Sequence, residues 1–196
     1  MNGLIGSVTP LTGLTSNTGG TLSLGADAIV AGNVDINDAT TLSSAVSLTT
    51  TATGTIDFAS TVDGNQDLTV ASAGITTFNG HVGSGVSTEL GDGIGASLTI
   101  NSTGLTTFVG TVEALSGLTG SGPVKFQDNV TLLAGNTATT LGGSVTLDGL
   151  TFNSAGNVTL GDASADTLTI STAAVTIKTP SAALNIPSNV VIADGL

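Results

Sequence analysis

The pattern Gly-x-x-x-Phe-x-x-x-Val occurs four times in this chain and constrains its fold more than any other feature. The copies are Gly54–Phe58–Val62, Gly74–Phe78–Val82, Gly104–Phe108–Val112 and Gly122–Phe126–Val130. Their phenylalanines are four of only five aromatic residues among 196. In the first three copies a Leu-Thr pair precedes the phenylalanine at a constant distance: Leu48-Thr49, Leu68-Thr69 and Leu98-Thr99. The unit recurs at shifts of 20, 30 and 18 residues, from Phe58 to Phe78, Phe108 and Phe126. Such recurrence marks one supersecondary element stacked on copies of itself.

Along Thr55–Val62, apolar Ile56, Phe58 and Val62 share one parity, and Thr55, Asp57, Ala59 and Thr61 take the other. That period of two predicts a strand with one buried and one wet face. Leu68-Thr69-Val70 and Leu98-Thr99-Ile100 alternate in the same way and predict a second short strand per repeat; Leu168-Thr169-Ile170 reads likewise. Gly54, Gly74, Gly104 and Gly122 are expected at corners, where a positive φ costs glycine nothing. Phe58, Phe78, Phe108 and Phe126, with Val62, Val82, Val112 and Val130, are the predicted core.

Hydrophobic residues make up 39 % of the chain, enough for a core. With so few aromatic rings it must be narrow, built from Val, Ile, Leu and Ala. Abundant β-branched residues and scarce charge exclude a disordered chain. No stretch has helical periodicity with caps, and no linker divides the sequence. We therefore expect one all-β solenoid domain over residues 1–196. Residues 1–20 read as a partial or capping repeat, 21–178 as the repeats and 179–196 as a terminal edge strand. The Gly-rich run from Gly83 to Gly93 reads as an insertion at a corner, a place where binding faces are often built.

Fourteen acidic residues face two basic ones, Lys125 and Lys178, for a net charge of −12. Phosphate neutralisation needs Lys or Arg, so nucleic acid is not an expected partner, and neither is an anionic membrane surface. No apolar stretch approaches the 18 residues a spanning helix needs, and Met1–Gly6 lacks the basic start of a secretory leader. Membrane insertion is not expected. The negative charge keeps a chain of mean hydropathy +0.45 soluble and self-repelling. There is no cysteine.

The blocks Gln66–Val70 with Thr76–Val82, and Ser97–Ile100 with Thr106–Val112, resemble the β-strand repeats of large bacterial exoproteins. These are the filamentous-haemagglutinin and autotransporter-passenger class of adhesins. The resemblance covers residues 40–130 best. It implies a right-handed parallel β-helix, exposure outside the cell, and a role in adhesion or matrix. The block Thr159–Ile170 is also similar to repeats of phage tail-fibre stalks, which implies an intertwined trimer instead.

Residues capable of chemistry are few. His81 is the sole histidine and has no cysteine to join it, so zinc is not expected; we read it as a surface residue. A catalytic triad would have to form around that one histidine, and no enzyme is expected. Gly91-Asp92-Gly93-Ile94-Gly95 and Gly161-Asp162 carry a faint likeness to calcium-binding repeats, but they stand alone and read as turns. No cofactor is therefore expected, with calcium the one alternative. Thr49-Thr50-Thr51, Thr76-Thr77 and Thr106-Thr107 could form a flat hydroxyl array of the kind ice-binding solenoids use, although the uneven repeat length argues against a lattice. The apolar strand containing Val190, Val191 and Ile192 has no guarding lysine and is expected to pair with the next subunit. The expected function is thus a non-enzymatic structural or adhesive segment at a bacterial surface. Its expected partners are further copies of itself, head to tail, or a host or surface ligand.

Overall fold

Alternating residues of the Phe unit do form strands, and each strand pairs with its equivalent one coil away. The computed structural model describes residues 4–6, 8–84, 88–133, 138–149, 151–161, 165–170, 176–179, 183–185 and 190–192. Every strand among them is parallel to its neighbours, and no helix is present among them. Three ladders make the walls of a parallel β-helix. The Phe sheet has nine strands, from Leu14–Ser16 through Ile56–Phe58, Thr76–Phe78, Thr106–Phe108 and Val124–Phe126 to Val190–Ile192. The Leu-Thr sheet has eight, from Ala28–Val30 to Leu184–Asn185. The third wall is a three-stranded and a four-stranded segment joined through Val82, which bridges Val62 on one side and Val112 on the other.

The unequal repeat shifts reduce to one frame. Thr106, Val112, Leu118 and Val124 open successive walls at intervals of six residues, so the coil from Thr106 to Val124 has 18. Longer coils keep the walls and lengthen a corner. From Thr76 to Thr106 two extra residues lie between Leu98 and Thr106, and most of the extra length lies between Val82 and Leu98. This is the Gly-rich run that was expected to be an insertion. Within it Leu90 pairs with Ala114 and is fully buried. Positive φ at Gly83, Gly91, Gly93 and Gly95 lets the chain turn out and back.

Phe58, Phe78, Phe108 and Phe126 point inward in one column, with centroids 4.9, 4.8 and 5.0 Å apart and near-parallel planes. Val62, Val82, Val112 and Val130 form a second buried column on the third wall. Each such side chain contributes about 1.5–3 kcal/mol of burial. The columns then exchange sizes. Leu147 takes the place of phenylalanine opposite Phe126, and Phe152 takes the place of valine opposite Val130. The Phe152 ring reaches across the core to meet Phe126 edge-on at 5.8 Å. Phe152, the fifth aromatic residue, has Asp148 and Gly156 where the repeat has Gly and Val, because it belongs to the other column.

Three sequence expectations need correction. Leu168-Thr169-Ile170 is a strand of the Phe sheet, paired with Val145–Leu147, and not of the Leu-Thr sheet. Leu48-Thr49 is offset by two from Leu68-Thr69, because Val46-Ser47 takes that register. The two residues so displaced swell the following corner, where Ala52 sits at φ 57°. Finally, Gly54, Gly74, Gly104 and Gly122 lie at corners but not at positive φ. What they supply is room. A Cβ on Gly74 would stand 2.8 Å from the Thr53 carbonyl oxygen and 2.9 Å from that of Gly54. On Gly54, Gly104 or Gly122 it would collide with the backbone carbonyl of Gly32, Gly74 or Ser102, respectively.

Candidate functional surfaces

Each core residue expected from the repeat is buried, so any binding chemistry belongs to the outward parity of the three walls. The strand containing Val190, Val191 and Ile192 pairs through its backbone with Leu168–Ile170 and forms one edge of the Phe sheet. Leu14–Ser16 forms the other edge.

The threonine doublets do not make a surface array. Thr50, Thr76 and Thr106 are inward and buried, Thr49, Thr77 and Thr107 take the outward parity, and Thr51 is exposed at the corner after its strand. The buried hydroxyls instead line the corner beside the close-packed glycines. Thr50 and Ser72 each donate to the Gly54 carbonyl at 2.8 Å, and the Thr76 and Ser102 hydroxyls meet at 2.9 Å. The Gly54 carbonyl also accepts the Gly74 amide, while the Thr50 and Ser102 hydroxyls accept the Ala73 and Ser72 amides of the turn. The Thr106 hydroxyl is buried without a partner.

An outward threonine column does exist, on the Leu-Thr wall. Thr69, Thr99, Thr119, Thr140 and Thr159 pair in unbroken register, with Ser47 before them and Asn185 after. Uneven repeat length does not disturb it, because corners absorb the difference; the objection to a lattice based on spacing is therefore removed. The signal in the sequence was an apolar-Thr-apolar triplet, such as Val158-Thr159-Leu160. Anchoring on phenylalanine hides it.

On the Phe wall the outward column runs Thr15, Asp35, Asp57, Thr77, Thr107, Lys125, Thr146, Thr169. Lys125 pairs with Asp148 at 3.0 Å, partly exposed, an arrangement worth at most about 1 kcal/mol. Ile75, Leu105 and Val109 are exposed on this wall at 54, 40 and 42 %. Together they make its middle apolar.

His81 is exposed, and its Nδ1 lies 2.8 Å from the Thr111 hydroxyl on the next coil. In the inserted corner the Asp92 carboxylate accepts the Ile94 amide at 2.7 Å, closing a turn. The Asp67 carboxylate accepts the Asp92 amide. Burial pushes Asp67 above the ordinary aspartate pKa, the Asp92 amide opposes that shift, and the charge of Asp92 adds to it. Among the described residues no three His, Cys, Asp or Glu side chains group to hold a metal; Asp162 lies outside them. A pit with only about 10 Å³ of room for a water-sized occupant opens where the columns exchange, lined by Phe126, Asp128, Val130, Leu147 and Phe152 among others. It is smaller than the roughly 300–1,000 Å³ of small-molecule sites. No helix among the described residues is long and apolar enough to cross a membrane.

Comparison with protein families, with curated proteins and with solved structures finds no match to this chain.

Proposed function

We propose that this chain is a non-enzymatic structural and adhesive element, a β-solenoid stalk displayed outside a bacterial cell. The observation that carries this reading is the continuity of the walls: every described strand of the Phe sheet continues one parallel ladder across nine rungs. A rod of this kind holds its outer columns at fixed spacing, which suits repeated weak contacts with a surface or host ligand. The likeness of residues 40–130 to exoprotein repeats points the same way. An intertwined fibre trimer, the reading for residues 159–170, would pair strands between chains, and an obligate compact trimer in sedimentation would favour it over the single-chain stalk.

All rungs are parallel, so a second copy stacked end on end extends each ladder without reversing it, and the edges at Leu14–Ser16 and Val190–Ile192 are where the backbones would join. Electron microscopy across a concentration series tests this, using the parent chain and a variant without residues 188–196. Rods that lengthen in the parent and stay single in the variant are expected. A parent that remains single at every concentration contradicts head-to-tail growth, and unchanged filaments in the variant contradict joining through Val190–Ile192.

The threonine column favours a second reading, ice binding. Five threonines in register, repeating at about 4.8 Å, present methyl and hydroxyl groups in a straight line. The flanking outward positions are mixed, with Asp67, Gly117 and Asn157 on one side and Ala71, Asn101 and Ser121 on the other, so the array is one column wide. A freezing-point gap that disappears in a Thr99→Lys, Thr119→Lys variant would favour ice over the stalk reading. Identical freezing behaviour of parent and buffer removes it.

A further inference from the structure

The Phe wall carries a pattern that is complementary to itself when reversed. Its apolar middle lies at the rungs of Thr77 and Thr107: Ile75 precedes the strand of one, Leu105 that of the other, and both are exposed. One rung outward on one side stands Asp57, and one rung outward on the other stands Lys125. Lys125 is one of only two cationic side chains in the whole sequence.

We propose that two copies of this chain pack through the Phe wall as an antiparallel dimer. Its two-fold axis runs along the strand direction, between the rungs of Thr77 and Thr107. That operation turns the solenoid axis over and keeps each outward position facing the equivalent position of the partner. Ile75 then covers Leu105 of the partner subunit, and Leu105 covers the partner's Ile75. Asp57 faces the partner's Lys125, and Lys125 faces the partner's Asp57. The flanks agree as well. Asp35 falls opposite Thr146 of the partner subunit and Asp148 opposite Asn37 of the partner subunit, so no like charges meet on this wall despite the net charge of −12. Complementary potentials of this kind select one docking geometry over others. A parallel pairing lacks this fit, because it sets Lys125 against the partner's Lys125 and Asp57 against the partner's Asp57.

The area is adequate. Eight of the nine strands lie within the overlap. At about 4.8 Å per rung and five residues of about 3.3 Å across, each copy offers roughly 650 Å². A standard interface uses roughly 800 Å² per partner. The apolar middle and polar rim match interface anatomy. The dimer leaves the threonine column and both ends of each solenoid free, so it is compatible with end-on growth.

Two experiments on the full chain decide the matter. In the first, sedimentation of the parent is compared with Lys125→Asp, Asp57→Lys and the double variant. The parent is expected to dimerise, more weakly as salt rises. Either single variant should raise the dimer dissociation constant at least tenfold, and the double variant, which restores opposite charges across the axis, should recover it. In the second, D35C and T146C chains are treated with a short bismaleimide; the protein has no native cysteine to interfere. Asp35 falls opposite Thr146 of the partner subunit across a sheet separation of about 10 Å, whereas two copies of Thr146 stand five rungs apart and end-on stacking would leave Thr146 four rungs, about 19 Å, from Asp35 of the next copy. Linked dimers should form from the mixture and not from either chain alone. A monomeric parent, single variants that dimerise as well as the parent, or linking within T146C alone each overturns the proposal. End-on association without the lateral dimer would show as a dimer indifferent to Lys125→Asp.

Discussion

Phe78 and Phe108 belong to consecutive rungs of one wall although a thirty-residue coil separates them, and their rings stack with centroids 4.8 Å apart and planes within 5°. The inserted corner between Gly83 and Gly93 therefore costs the core nothing in register. The ring column is continuous from Phe58 to Phe126, and each ring is sandwiched rather than merely buried.

Phe108→Ala should destabilise the protein by about 3–5 kcal/mol, the cost of truncating an aromatic in a close-packed core. Denaturant unfolding monitored by circular dichroism measures it. A loss below about 1 kcal/mol would mean that the ring column does not hold the coils together.

Two glycines separate close approach from conformational freedom. At Gly104 a Cβ would run into the backbone of Gly74, so Gly104→Ala should cost several kcal/mol, of the order of overpacking or more. Gly95 sits at φ 77° with nothing within 4 Å of a built Cβ, so Gly95→Ala should cost about 1–2 kcal/mol of backbone strain. Equal losses at the two sites would show that the corner glycine ladder is not a tight contact.

Thr106 gives a prediction of opposite sign. Its hydroxyl is buried without a partner, and its neighbours in the column beyond Thr76 are Ile56 and Val124. Thr106→Val should stabilise the fold by about 1–2 kcal/mol, the penalty of an unsatisfied buried group. Thr76→Val, which strands the Ser102 hydroxyl now 2.9 Å from Thr76, should not. Thermal melts of the two variants should move in opposite directions.

The size exchange at the end of the ring column can be undone. Phe152→Val alone opens a cavity and Leu147→Phe alone overfills the coil, each at a cost of roughly 1–3 kcal/mol or more. Combined, they restore phenylalanine over Phe126 and valine over Val130. The double variant should be more stable than either single one, with a coupling of about 1 kcal/mol or more. Strict additivity would argue against contact between the two columns.

The inward half of this structure was legible in the residues. Alternation at Ile56, Phe58 and Val62 identified the buried parity, and the Phe unit identified the stacked coils. The roles of Gly54, Gly74, Gly104 and Gly122 were not legible, because close approach to the neighbouring coil is a tertiary fact and glycine looks alike in both roles. The place of Phe152 was not legible for a related reason: nothing local says which wall a ring belongs to once Leu147 and Phe152 trade volumes. The surfaces were the hardest to read. Asp57, Thr77, Thr107 and Lys125 become neighbours only after the corners have absorbed different numbers of residues, so their order along the wall depends on register rather than on sequence spacing.

The central claim, that outward residues far apart in the chain form straight columns set by an 18-residue frame, is tested most directly by one distance. Spin labels placed at Thr69→Cys and Thr159→Cys sit on the Leu-Thr wall four rungs apart, through Thr99, Thr119 and Thr140. Pulsed electron–electron resonance, with the labelled chain diluted in unlabelled protein, should give one narrow distribution near 19 Å between backbones, at about 4.8 Å per rung. A broad distribution centred beyond about 30 Å would contradict the stacked coil.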